Sequence, residues 1–120
     1  MLKHFCFSYR EMQDERNKLL SSGIKAVAYD GMPHSGSVSN PTEQAGIRLA
    51  EIDNNISIIE NTAAEVGGNL FPYLLRGVTD HYATYKYLRY TLHMPCGKNM
   101  YYSIRRRFYY ELSQKRFMIS

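Results

Sequence analysis

The sequence predicts an all-α protein, with a long N-terminal helical hairpin followed by a C-terminal helix-turn-helix. Three observations support this: an amphipathic pattern near the N-terminus, a heptad seam in residues 45–66, and a short helix, a Pro-Gly turn and a basic helix near the C-terminus. The chain therefore divides into residues 1–68, the hairpin with a Gly/Ser/Pro-rich loop at 30–41, and residues 69–120, the helix-turn-helix.

The first predicted helix covers residues 2–21. Its inward stripe has spacings of three and four, and consists of Leu2, Phe5, Tyr9, Met12, Arg16 and Leu19. We expect it to stop at Gly23, because glycine accepts the left-handed conformation that often ends a helix. Residues 24–29 form a short apolar run that can be extended, and residues 30–41 contain too much Gly, Ser and Pro for regular structure.

The second predicted helix begins at a strong start signal and ends at a glycine pair, Gly67 and Gly68. Asn40 can cap it, Pro41 suits its first position, and Glu43 lies three residues after the cap. The apolar seam repeats four-three and consists of Ala45, Leu49, Ile52, Ile56, Ile59, Ala63 and Val66. Such a seam can pair with the first helix or with a second copy of the protein, so a homodimer through residues 42–66 remains open.

Two short helices are predicted next. The first covers residues 69–78 and has Pro72 in its first turn, where proline is tolerated. The second covers residues 84–92 and has Thr84 in a position to cap it.

A turn containing Pro95 and Gly97 separates these helices from a basic helix over residues 98–115. The apolar stripe of this helix is Tyr101, Ile104, Phe108 and Leu112. Its other faces carry basic, amide and tyrosine side chains, which are the types that reach phosphates and base edges. A plain helical hairpin with a solvated basic face is the competing interpretation.

The charge of the chain is strongly asymmetric. The net charge is +4 over 120 residues, but residues 1–70 hold six Lys/Arg against nine Asp/Glu, whereas residues 71–120 hold nine against two. Nine of the eleven tyrosines also lie in residues 71–120, where their rings can pack and their hydroxyls can bind phosphate. Basic charge concentrated in one part of a chain is typical of nucleic-acid-binding proteins.

The sequence contains no motif for a metal or a cofactor. Cys6 and Cys96 are too far apart in sequence for a metal-ligand or redox spacing. Residues 2–7 are too short and polar for an export signal, and no apolar run is long enough to span a membrane. We therefore expect a cytoplasmic protein without metal, cofactor or membrane partner.

Two segments resemble a known family. They are MPHSGSVSNPTEQAGIRLAEI (residues 32–52) and MPCGKNMYYSIRRRFYYELSQKR (residues 94–116). The first is similar to a Met-Pro loop that precedes an Asn/Asp-Pro-Thr helix start, and the second to a Pro-Cys-Gly turn before an aromatic-rich helix. Both are features of the RinA/ArpU-type phage and prophage transcriptional regulators, whose C-terminal part is similar to the helix-turn-helix with which sigma factors read the −35 promoter element.

The resemblance implies a regulator of phage late genes in a bacterial host, which binds double-stranded DNA with residues 98–115 in the major groove. The site residues carried over are Lys98, Asn99 and Tyr102 for base edges, and Arg105, Arg106 and Arg107 for phosphates. The sigma-like part also implies RNA polymerase as a second candidate partner. The sequence departs from the pattern in its turn, where Cys96 and Gly97 stand in place of a Ser or Thr cap.

Two other classes of protein are alternatives. Small terminase subunits also join a helix-turn-helix to a helical oligomerisation segment and form DNA-packaging rings, so a monomer or dimer would favour the regulator and a large ring the packaging protein. An enzyme would have to use Cys96 with His93, and Lys98 at the helix start would lower the pKa of that thiol. Because no carboxylate or oxyanion feature lies nearby, we predict no catalytic residues and no enzyme activity.

Overall fold

The computed structural model describes residues 2–23 and 41–115. All regular structure in these residues is helical, which confirms the predicted fold class. In chain order the elements are α1 (Leu2–Phe7), α2 (Tyr9–Ser21), α3 (Pro41–Gly67), a 3-10 turn (Gly68–Leu70), α4 (Phe71–Thr79), a π-helical turn (Tyr87–Thr91) and α5 (Lys98–Ser113). The predicted extended run at 24–29, most of the loop at 30–41, the Asn40 cap and the apolar tail at 117–119 lie outside the described residues.

The prediction of one continuous first helix is wrong at Ser8, where the helix divides into α1 and α2. The Ser8 hydroxyl donates a hydrogen bond of 2.6 Å to the carbonyl of Phe5. The Ser8 amide is shared between the carbonyls of His4 (3.1 Å) and Phe5 (3.3 Å). A serine that bonds to the preceding turn competes with the regular α-helical pattern, which accounts for the break. The chain leaves α2 as predicted, with Gly23 at a φ of +81°.

Helices α2 and α3 form the predicted hairpin, and their polar contacts show that it is antiparallel. In the middle of α2, Glu15 accepts two hydrogen bonds from Arg48, at 2.9 and 3.1 Å. At the beginning of α2, the Tyr9 hydroxyl donates to the carboxylate of Glu60, which lies further along α3. The Arg48 contact is the main reason that the pKa of Glu15 is lowered.

The heptad seam of α3 is the centre of the fold. Its buried members are Leu49, Ile52, Ile56, Ile59, Ala63 and Val66, and Ala45 is half-buried. Helices α2, α4 and α5 all pack on α3. The seam is therefore occupied by helices of the same chain.

The hairpin and the C-terminal helices share one hydrophobic core. Leu74 of α4 and Phe108 and Leu112 of α5 are fully buried in the same cluster as Ile56 and Ile59 of α3. The two segments predicted from the sequence are consecutive in the chain, but their apolar side chains pack into a single interior.

A second, smaller cluster holds α5 against the turn that precedes it. Its buried members are Leu70, Ala83, Leu88, Met94 and Tyr101. Gly77 of α4 faces this cluster, and a Cβ atom there would lie 2.1 Å from the hydroxyl oxygen of Tyr101. The absence of a side chain at Gly77 is what allows α4 and α5 to approach this closely.

Candidate nucleic-acid interface

Helix α5 begins where the sequence predicts, directly after the Pro-Gly turn. Gly97 is the N-cap residue, has an extended backbone (φ −84°, ψ 175°) and supplies no capping side chain. Tyr101, Phe108 and Leu112 are buried and fix the inward side of the helix. The helix ends at Ser113, two residues before the predicted end.

The outward side of α5 is polar, basic and aromatic. Its exposed side chains include Asn99, Met100, Ser103, Arg106, Arg107, Tyr110 and Gln114. Tyr110 is 63% exposed, which is unusual for a large aromatic side chain on a well-packed helix. These residues form one continuous stripe, because spacings of three, four and seven return to the same side of a helix.

Four of the six predicted site residues are exposed. Lys98 and Asn99 lie in the first turn of α5, and Arg106 and Arg107 lie two turns further along. Tyr102 is half-buried on the flank of the helix, and its ring centroid is 5.2 Å from that of Tyr101. The first turn and the arginine pair therefore reach solvent, whereas Tyr102 is only partly accessible.

Arg105 points about 100° away from Arg106 and about 200° away from Arg107 around the helix axis. Its side chain is half-buried, and its guanidinium carbon is 5.5 Å from the centroid of the Tyr109 ring. Its Nε atom is buried and makes no hydrogen bond. The sequence interpretation placed all three arginines on the polar faces of the helix, whereas Arg105 is half-buried, because it follows Tyr101 by four residues and precedes Phe108 by three.

The sequence that leads into α5 and forms most of it is basic. Residues 81–110 contain six Lys/Arg and no Asp or Glu. Ion pairs between described residues are found at Arg16–Asp53, Arg48–Glu15, Arg48–Glu51, Arg76–Asp80 and Lys115–Glu65. Within the described part of the chain, no ion pair involves Lys98, Arg106 or Arg107. The positive charge on the outward side of α5 is therefore not neutralised by neighbouring carboxylates.

The segment before α5 is wound more widely than predicted. Residues 84–92 were expected to form an α-helix, but Tyr87–Thr91 is a π-helical turn, in which the Leu92 amide donates to the carbonyl of Tyr87. The predicted cap is confirmed, since the Thr84 hydroxyl accepts a hydrogen bond of 3.2 Å from the Tyr87 amide.

The connection into α5 contains an unusual backbone conformation at His93, which has a φ of +60°. It allows the Met94 amide to reach back to the carbonyl of Leu88, at 2.9 Å. Both Leu88 and Met94 are fully buried in the second cluster. Burial of these two side chains accounts for a π-helical turn where a regular α-helix was expected.

The turn does not provide the activated thiol that an enzyme would need there. Cys96 is half-buried, and burial raises its pKa, although the charge of Arg89 opposes this effect. The lowered pKa expected from the nearby Lys98 is therefore wrong. His93 is exposed at the surface of the same turn.

The described residues contain neither a metal-binding cluster nor a membrane-spanning helix. Residues 2–23 and 41–115 contain no group of three or more His, Cys, Asp and Glu side chains that could hold a metal ion. A bilayer-spanning helix needs about 20 mostly apolar residues, and no helix in this part of the chain meets that requirement.

Comparisons with known proteins do not place the chain in a family. No protein-family profile, curated protein or solved structure matches it.

Two features of this region were missed by the sequence interpretation. The first is the inward position of Arg105, for which the spacing to Tyr101 and Phe108 was an available signal. The second is the strong exposure of Tyr82 (84%) and Tyr90 (71%), which no pattern in the sequence distinguishes from the buried tyrosines.

Proposed function

We propose that the protein is a sequence-specific double-stranded DNA-binding regulator of transcription. The observation that carries the proposal is the outward side of α5, on which exposed basic and amide side chains stand in a stretch of 30 residues without a carboxylate. Lys, Arg and Asn are the side chains that most often contact phosphates and base edges.

Helix α5 has suitable dimensions for the major groove. Its 16 residues correspond to a length of about 24 Å at 1.5 Å per residue, and the groove is about 12 Å wide. In this arrangement Lys98 and Asn99 in the first turn meet base edges, as in known helix-turn-helix proteins. Arg106 and Arg107 hold phosphates, and the π-helical turn with α4 forms the supporting part of a helix-turn-helix.

The target genes, RNA polymerase as a partner and a homodimer are also proposals. A regulator of phage late genes in the host cytoplasm, with RNA polymerase as a second partner, rests on the sequence resemblance alone. A homodimer through residues 42–66 would have to use the outer side of α3, where Ser57, Asn61 and Glu65 are exposed, because the apolar seam is buried within the protomer. This makes a monomer that binds a single site the simpler arrangement.

The proposal is tested by selecting binding sites from a random DNA pool with the intact protein, and then repeating the selection with Asn99→Ala. Gly97, not Asn99, holds the N-cap position of α5, so this substitution should leave the melting temperature nearly unchanged. We expect the best site to lose about 1–3 kcal/mol of binding free energy, with relaxed preference at one base pair.

Non-specific affinity should barely change in Asn99→Ala, because asparagine carries no charge that releases counterions. If no sequence is enriched from the pool, the proposal of a sequence-specific regulator is wrong. Light scattering on the same sample tests the second candidate function, a terminase-like packaging protein. A large ring would favour that function over the regulator.

A further inference from the structure

Arg105 is a positively charged side chain that the fold turns inward without giving it an anionic partner. No ion pair among the described residues involves its guanidinium group, and its Nε atom is buried without a hydrogen bond. Its contact with the Tyr109 ring compensates only part of the cost of desolvating a charge. By contrast, Arg48 and Arg76 each have a carboxylate at 2.9 Å.

A cleft of about 210 Å³ lies beside Arg105. It is enclosed by the end of α1, the end of α4, the turn at residues 80–85 and the inner flank of α5. The polar side chains that line it are Asp80, His81, Thr84, Tyr85, Tyr101, Tyr102 and Arg105. One arginine and several side chains that carry hydroxyl donors therefore line one small space.

The size of the cleft suits a single phosphate group and not a whole nucleotide. Clefts that hold drug-sized ligands have volumes of about 300–1,000 Å³, so a nucleotide is too large for this one. A tetrahedral oxyanion fits, together with a few water molecules. Arginine is well suited to such an ion, because its planar fork can donate two parallel hydrogen bonds to a phosphate.

The one acidic side chain of the lining is already neutralised. Asp80 accepts a hydrogen bond of 2.9 Å from the Tyr82 amide and forms an ion pair of 2.9 Å with Arg76. The other charged or titratable groups facing the cleft are Arg105, His81 and the tyrosine hydroxyls. The uncompensated charge of the cleft is therefore positive.

From this geometry we propose that the cleft between α1, α4 and α5 binds one phosphate group, with Arg105 as its cationic ligand. Two sources share this chemistry, free phosphate and a backbone phosphate of DNA. The existence of the site does not depend on the proposed DNA binding.

The test titrates the intact protein with inorganic phosphate at constant ionic strength, and follows the backbone amides by nuclear magnetic resonance. The amides of Ala83, Thr84 and Tyr85 should shift in a saturable manner, whereas those of Asn99 and Ser103 on the outward side should not. The Arg105→Gln variant should weaken phosphate binding by about tenfold or more, because a hydrogen-bonded charge is lost. Arg106→Gln removes the same charge from the exposed side and should leave it unchanged.

Saturable shifts confined to the outward side of α5, or equal affinities in the two variants, would overturn the proposal. The absence of any saturable shift would do the same. If Arg105→Gln fails to fold, the residue-by-residue shifts of the parent protein and the affinity of Arg105→Lys, which keeps the charge but loses the fork, decide the question. We expect Arg105→Lys to bind more weakly than the parent protein.

A second arm of the experiment distinguishes the two sources of phosphate. If the cleft takes a DNA phosphate, inorganic phosphate competes with a short duplex and Arg105→Gln weakens duplex binding. If it takes free phosphate, duplex affinity is the same with and without phosphate, and Arg105→Gln binds the duplex as tightly as the parent protein. A protein that binds phosphate in the cleft but binds no duplex would support this site and refute the proposed function.

Discussion

Replacing Gly77 by alanine tests the close contact between α4 and α5. The new Cβ atom would lie 2.1 Å from the hydroxyl oxygen of Tyr101 and 3.1 Å from Cδ1 of Leu88. Tyr101 is only 2% exposed, and its ring packs against Tyr85 and Tyr102. The ring therefore cannot move aside without disturbing the second cluster.

Two opposing effects set the magnitude. Overpacking a well-packed interior costs about 1–3 kcal/mol, whereas alanine is favoured over glycine within a helix by about 1 kcal/mol. We expect Gly77→Ala to lower the free energy of unfolding by up to about 2 kcal/mol. At a helical position with free space, the same substitution would raise it by about 1 kcal/mol.

Urea denaturation followed by circular dichroism measures the change. Removing the hydroxyl in Gly77→Ala/Tyr101→Phe should recover part of the loss, so the two substitutions should be coupled by about 0.5–3 kcal/mol in a double-mutant cycle. The single variants provide the matched controls. A Gly77→Ala protein about 1 kcal/mol more stable than the parent, or additive effects in the cycle, would refute the close approach of α4 and α5.

Two further predictions concern the core. Ile56→Ala removes a side chain that is 5% exposed at the centre of the α3 seam, and should cost on the order of 2–5 kcal/mol in thermal or urea unfolding. The exposed neighbour Ser57 serves as control, since Ser57→Ala should stay within about 0.5 kcal/mol of the parent; equal effects would mean that the seam is not buried. Burial raises the pKa of Cys6 to about 12, so alkylation of the native protein should modify Cys96 well before Cys6, and faster labelling of Cys6 would contradict its position in the core. Because the folded-state pKa of Cys6 lies above the ordinary thiol value of 9.0, its contribution to stability is complete below about pH 9 and is lost as the pH rises toward 12.

The all-α fold and its central helix could be predicted because they depend on patterns that repeat many times. The seam from Leu49 to Val66 recurs over several turns, so a single exception could not have changed the interpretation. The seam could not by itself decide between antiparallel pairing with the first helix and pairing with a second copy, because an apolar stripe contains no information on whether it meets its own chain.

The departures from prediction arise from single residues whose effect depends on their surroundings. The break at Ser8 requires its hydroxyl to bond to the carbonyl of Phe5, whereas most exposed serines in helices leave the helix intact. The π-helical turn depends on the burial of Leu88 and Met94 together, and therefore on tertiary contacts. Neither is visible in a local pattern.

In the candidate site, the helical period predicts the directions of the three arginines but not the cleft beside Arg105. Three consecutive residues of an α-helix cover about 200° of its circumference, so Arg105, Arg106 and Arg107 cannot all face the same way. The helical period could therefore have separated Arg105 from the other two. The helical period could not have predicted the cleft beside Arg105, because that cleft is lined by side chains from α1, the end of α4 and the turn before α5.

The salt dependence of duplex binding tests most directly whether the outward side of α5 meets DNA. The double variant Arg106→Gln/Arg107→Gln removes two exposed charges from α5, and Arg10→Gln/Lys18→Gln removes two exposed charges from α2. Each phosphate contact contributes about 0.9 to the slope of log affinity against log salt concentration. We expect the α5 variant to lower the magnitude of that slope by about two and the α2 variant to leave it unchanged. Equal slopes in the parent and the α5 variant, or the same reduction in both variants, would contradict the proposed interface.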